Sequence, residues 1–144
     1  MSRISPCLLI LTLGTPAFAE PAASDLKLVV ASYVAAQEAV MEQGAGAPEV
    51  EQLIAFYAPD YVYHHPQFGA KVTGLDVVRR GVSSHLGETR DAEIAIKGIL
   101  RNGDTFSVAT ETRFTVAADG AKVVRPGVMV LTFKGGRIVQ RVDI

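Results

Sequence analysis

Three glycine-bearing dipeptides punctuate the second half of the chain: Asn102-Gly103, Asp119-Gly120 and Gly135-Gly136. Each supplies positive φ at little steric cost, as tight antiparallel turns require. The runs they separate, 92–100, 105–116, 122–133 and 137–144, are rich in β-branched residues. Four such runs in sequence predict a four-strand meander. In the run 105–116, Phe106, Val108, Phe114 and Val116 share one face, and Ser107, Glu111, Arg113 and Thr115 share the other. That alternation marks a strand buried on one side only. Pro126-Gly127, early in the third run, predicts a bulge or bend that curves the sheet.

The first half has helical period. Over residues 24–43, Leu26, Val29, Val30, Tyr33, Gln37, Val40 and Met41 fall on one face, with Ser24 as N-cap and Gly44 as stop. Pro48 opens a second helix through about Tyr57, with Val50, Leu53 and Ile54 on one side, and Ala58-Pro59-Asp60 ends it. Residues 61–65 have strand composition closed by Pro66, which lacks an N–H. A short returning strand is expected at 71–73, and a third helix at 75–86 with Val77, Val78, Gly81 and Val82 on one side. Together these predict an α+β domain, in which three helices from the N-terminal half cover one face of a curved antiparallel sheet of about five or six strands. A pocket is expected between the two layers.

Ahead of this domain, Arg3, the apolar run 7–13 and Ala17-Phe18-Ala19 have the layout of a secretory signal peptide cut after Ala19. Its apolar core is shorter than the roughly 20 residues that span a bilayer. The expected organisation is therefore a leader over 1–19 and one domain over 20–144, located in the periplasm or secreted, with no membrane association after cleavage. The full chain carries 14 Lys+Arg against 15 Asp+Glu, with no basic block, which argues against a nucleic-acid partner. The one cysteine, Cys7, lies in the leader, so neither a disulfide nor thiolate chemistry is expected in the exported domain.

Two of the three histidines, His64 and His65, are adjacent in Tyr61-Val-Tyr-His-His-Pro66. Neighbours on a strand point to opposite faces, so the pair is a poor chelate for one ion. No metal-binding spacing is present, and neither a metal nor a cofactor is expected. Histidine ordinarily titrates near 6.5, so either ring alone suits proton transfer. Glu111, Arg113, Arg125, Arg141 and Asp143 read as polar strand residues forming cross-strand ion pairs on a solvated or dimer-forming face. An arginine turned into the pocket would instead meet a ligand carboxylate.

The stretches Phe56-Tyr-Ala-Pro-Asp-Tyr-Val-Tyr-His-His-Pro66, followed by Gly74, and Pro126-Gly-Val-Met-Val-Leu-Thr-Phe-Lys-Gly-Gly-Arg-Ile-Val139 carry a resemblance. Over about residues 25–144 the chain resembles the nuclear transport factor 2-like superfamily. That group includes SnoaL-like polyketide cyclases, ketosteroid isomerases and limonene epoxide hydrolases. The resemblance implies a cone-shaped domain, and a pocket for a small hydrophobic or carbonyl-containing ligand. It puts His65 where ketosteroid isomerases keep a proton-shuttling carboxylate before a proline. It matches Tyr33 to their oxyanion-holding helix tyrosine. SnoaL-like cyclases keep an acid–base aspartate at the end of the last strand; Asp143 falls short of that position by spacing from Ile138, but can orient or charge-stabilise a histidine. The expected catalytic set is thus His65, Asp143 and Tyr33, and the expected ligand-binding set is Tyr63, His64, Phe114 and Met129. Isomerase, cyclase or hydrolase-type acid–base chemistry stands beside two alternatives: a non-catalytic binding module and a homodimeric structural module.

Overall fold

The structure, a computed structural model, describes residues 23–144. The leader over 1–19 and its cut after Ala19 lie outside the described residues. Helices α1 (Ala23–Met41) and α2 (Ala47–Ile54) come first, then strand β1 (Tyr57–His65), a 3-10 turn (Pro66–Phe68) and β2 (Ala70–Thr73). Helix α3 (Leu75–Ser84) precedes the meander β3 (Thr89–Asn102), β4 (Thr105–Val116), β5 (Lys122–Lys134) and β6 (Arg137–Asp143). All six strands form one sheet in the order β2-β1-β6-β5-β4-β3. Among the described residues no helix is long and apolar enough to cross a membrane.

The sheet is mixed rather than antiparallel throughout, because β1 runs parallel to β6. These two strands are joined through all the intervening chain, not by a hairpin, so nothing forces them to reverse. Residue Tyr57, expected to end the second helix, instead opens β1. Ala58-Pro59-Asp60 does not break the strand either. Pairing with β6 stops after Tyr57–Ile138 and resumes at Val62–Gln140, so Pro59 falls in an unpaired segment and loses no ladder bond. The proline at 126 makes no bulge: β4 and β5 stay in register from Thr105 to Thr115. It lies beyond the end of β6, where β5 has an open side for a residue without an N–H. Curvature comes instead from irregularities in β3, at Arg90/Glu93 and Ile96/Gly98, and from one between β5 and β6 at Thr132/Phe133. The β5–β6 hairpin closes through Gly135 and Gly136, both at positive φ (56° and 76°).

Helix α1 already includes Ser24, the expected cap, and lays Leu26, Val30, Tyr33, Val34 and Gln37 on the core. Opposite them, the inner face of the meander contributes Phe106, Val108, Leu131, Phe133 and Ile138, all buried. Each such side chain stabilises the fold by about 1.5–3 kcal/mol through area removed from water. Carboxylates on α1 then secure the irregular start of β3. Glu38 accepts the N–H of Ile94, Glu42 accepts those of Asp91 and Ala92, and the Thr89 hydroxyl donates to the Met41 carbonyl. The bonds from Asp91 and Ala92 satisfy donors that the break between Arg90 and Glu93 frees from the ladder. Helix α3 differs from the other two. None of its residues is fully buried, and its apolar stripe faces a cleft rather than a packed core.

Candidate functional site

The cleft lies between the helices and the inner face of the sheet, and it has two lobes. One, of about 520 Å³, is roofed by Val77, Val78 and Val82 of α3, with Leu53 beside them and Tyr57, Tyr61 and Tyr63 below. The other, of about 500 Å³, is lined by His65, Thr110, Thr112, Arg125, Met129 and Asp143. Gln37, Met41 and Arg141 border both, so the apolar and polar lobes meet at Arg141.

A chain of polar side chains runs along the floor. Arg141 grips Asp143 with two bonds, Nε to Oδ1 at 2.6 Å and Nη2 to Oδ2 at 2.8 Å. Its Nη1 donates to the Tyr33 hydroxyl at 2.8 Å, which is 2.9 Å from the Tyr57 hydroxyl. On the other side, the Tyr63 hydroxyl donates to Asp143 Oδ2 at 3.1 Å. The guanidinium carbon lies 6.0 Å from the Tyr33 ring centroid and 5.7 Å from that of Tyr63, within cation–π range. Tyr57 stacks on Tyr61 with centroids 4.1 Å apart.

Burial governs the electrostatics here. It pushes the Tyr33 phenol well above its ordinary value, against the pull of Arg141. Burial likewise raises Tyr57 to about 12, and raises Tyr61 further. Tyr63 is raised to about 12, by burial first and by the Asp143 charge second. Burial works against the Arg141 charge, but Tyr33 and Asp143 outweigh it and the guanidinium is held well above its usual range. The floor is therefore four neutral phenols around one ion pair.

His65 enters the polar lobe from the end of β1. Its ring packs against Phe68 (centroids 4.4 Å) and meets Tyr63 edge-on (6.2 Å). Its Nδ1 is buried and has no hydrogen-bond partner among the described residues. Buried polar nitrogens are seldom left so, because the lost hydration is not repaid.

Of the residues expected from sequence, His65, Asp143, Tyr63 and Met129 line the cleft. Tyr33 is fully buried beneath it and reaches it only through Arg141. His64 is on the opposite face of β1, in a separate depression with Asp60, Val62 and Lys71. Strand alternation requires this once His65 points inward. Phe114 borders neither lobe; its ring lies under the Arg125 guanidinium, 5.6 Å away. Glu111 is at the surface and paired with Arg113 on its own strand; its cross-strand partner is Lys97, not one of the residues expected. Arg141 and Asp143 share a face, as expected, but that face is the cleft.

The sequence favoured a surface place for Arg141 and left its inward turn only as the alternative, because that turn depends on the β5–β6 irregularity. A plain hairpin through Gly135-Gly136 would set Arg141 opposite Val130, on the outer face. One extra residue, Val139, shifts the register so that Arg141 lies opposite Leu131 and Asp143 opposite Met129, both core positions. A one-residue slip inverts every side chain beyond it. Among the described residues no group of three or more His, Cys, Asp or Glu side chains is placed to hold a metal ion.

The sequence model of the SnoaL-like domain matches residues 30–141. Among solved structures, the chain is similar to a protein of ketosteroid isomerase-like fold from Catenulispora acidiphila, in complex with trimethylamine (17% identity, 81% of this chain and 83% of that one, TM-score 0.66). It is also similar to a candidate SnoaL-like polyketide cyclase from Shewanella putrefaciens (16%, 83% and 88%, TM-score 0.68). A limonene epoxide hydrolase-like enzyme from M. tuberculosis shares the fold as well (16%, 83% and 81%, TM-score 0.67). No curated protein sequence matches the chain. With the match running from α1 to β6 across every element that builds the cleft, the chain belongs to the SnoaL-like domain family.

Proposed function

We propose that the cleft binds a small, mainly apolar organic molecule bearing a carbonyl or related polar group, and that His65 moves a proton on it. The observation that carries this reading is His65, with a buried and unpartnered Nδ1, on the wall of a cleft whose other lobe is apolar. In the tautomer protonated at Nε2, that nitrogen keeps an unused lone pair at the wall of the polar lobe. Removing a proton from carbon next to a carbonyl leaves negative charge on the carbonyl oxygen. Arg141 borders both lobes and has N–H groups to spare beyond its bonds to Asp143 and Tyr33, so it is the group to receive that charge. Asp143 and Tyr33 act as positioning residues by fixing the guanidinium. The proton returns from His65 to the product, and no external reductant or oxidant is needed.

The test is a thermal-shift screen of small ketones and epoxides on the wild type and His65→Ala. Ligands that stabilise the wild type more than the variant support the reading. A ligand that stabilises both equally removes His65 from recognition and leaves a binding module; no stabilisation by any compound sinks the cleft as a small-molecule site.

Two further parts of the reading concern context. Export is inferred from the pattern at residues 1–19, and the first residue of the protein recovered from a periplasmic fraction, Glu20 or Met1, decides it. A homodimer through the outer sheet face is favoured by the exposed Leu100 and Val124 there. Light scattering that finds a monomer at high concentration would remove it.

A further inference from the structure

Arg125 carries the one charged side chain bordering the polar lobe that the network along the cleft floor leaves out. Arg141 and Asp143 neutralise each other through two hydrogen bonds. Arg125 has no ion-pair partner among the described residues, and its guanidinium rests over the Phe114 ring. Directly across the strand pair from it stands Thr112, whose hydroxyl engages no protein group. The neighbouring Thr110 hydroxyl, by contrast, donates to the Gly127 carbonyl. Arg125 is exposed at the mouth of the lobe, its guanidinium over an aromatic face and its paired residue carrying a free hydroxyl. That is the chemistry of a carboxylate seat.

Resting on the reading of the cleft as a small-molecule site, we propose that its ligands are amphiphilic monocarboxylic acids. The carboxylate is bound by Arg125 and Thr112 in the polar lobe, and the apolar body passes Arg141 into the valine-roofed lobe. Charge decides against the opposite polarity. The aromatic faces that would receive a cationic ligand, those of Tyr33 and Tyr63, are already occupied by Arg141. Phe114 thereby acquires a role different from ligand contact: it fixes the guanidinium that makes the contact.

The experiment is calorimetric titration of octanoate, octanamide and octylamine, below micelle-forming concentrations, into the wild type, Arg125→Gln and Thr112→Val. The wild type is expected to prefer octanoate over octanamide by about tenfold, the size of one charge-assisted hydrogen bond in a partly solvated site. Arg125→Gln is expected to erase that preference by weakening octanoate far more than octanamide, and Thr112→Val to reduce it. Equal binding of acid and amide by the wild type overturns the carboxylate seat and leaves the small-molecule reading intact. So does an acid preference that survives Arg125→Gln, or tightest binding by octylamine. Binding of none of the three contradicts the small-molecule reading itself.

Discussion

Replacing Arg141 with methionine should be the most damaging polar substitution in the domain. The side chain makes two bonds to Asp143 and one to Tyr33, all between 2.6 and 2.8 Å. Only a fifth of either side chain of the ion pair reaches solvent. In Arg141→Met the Asp143 carboxylate keeps one donor, the Tyr63 hydroxyl. Removing one partner of a fully buried pair costs about 3–5 kcal/mol, mostly from the charge left behind. Discounting for the exposed fifth gives about 2–3 kcal/mol. For a domain of this size that lowers Tm by about 8–12 °C. Adding Asp143→Asn removes the stranded charge, so the double variant should be more stable than Arg141→Met alone, with a coupling of at least about 1 kcal/mol. The assay is a double-mutant cycle by urea denaturation, backed by thermal scans. Costs that simply add would refute the idea that Arg141 and Asp143 act as one unit.

Other consequences can be checked separately. All four tyrosines of the chain are in the floor cluster, each raised above its ordinary value, Tyr57 and Tyr63 to about 12. The native state thus holds these protons more tightly than the unfolded one. Their contribution to stability is full below pH 10 and lost as pH rises from about 10 to 12. Phenolate absorbance should therefore rise only together with loss of the native circular dichroism; a tyrosine that titrates near pH 10 in the folded protein would contradict the cluster. Val78→Trp should fill the roofed lobe and abolish ligand-induced thermal shifts, with a smaller loss of Tm than a substitution at a fully buried valine, since Val78 is only partly buried and borders the cleft. At Gly135, φ is 56° and no atom would crowd an added Cβ. Gly135→Ala should thus cost about 1–2 kcal/mol from backbone strain alone, and Gly135→Asn clearly less, as denaturation curves would show.

Local signals in the sequence carried the architecture a long way. The three glycine dipeptides sit in the turns of the meander, the 3–4 spacing of α1 matches its buried face, and alternation separates His64 from His65 across β1. What escaped were features set by register and distant pairing. Tyr57 has helical neighbours in sequence and becomes a strand residue because β6 offers it a parallel partner at Ile138. Arg141 faces inward only because Val139 is the extra residue in its strand. Neither propensity nor period encodes such a shift, since both depend on how two strands align. The same limit applies to Arg125. Its place beside Thr112 and over Phe114 follows from β4–β5 register, and single-strand composition makes it one more surface charge.

His65 as the proton-moving group of the cleft is tested most directly by solvent deuterium exchange into the α-carbons of octan-2-one, followed by NMR. The wild type is expected to exceed the buffer rate, and His65→Ala to fall to it, a loss of about a hundredfold or more for a general base. Exchange by His65→Ala as fast as by the wild type would contradict the assignment.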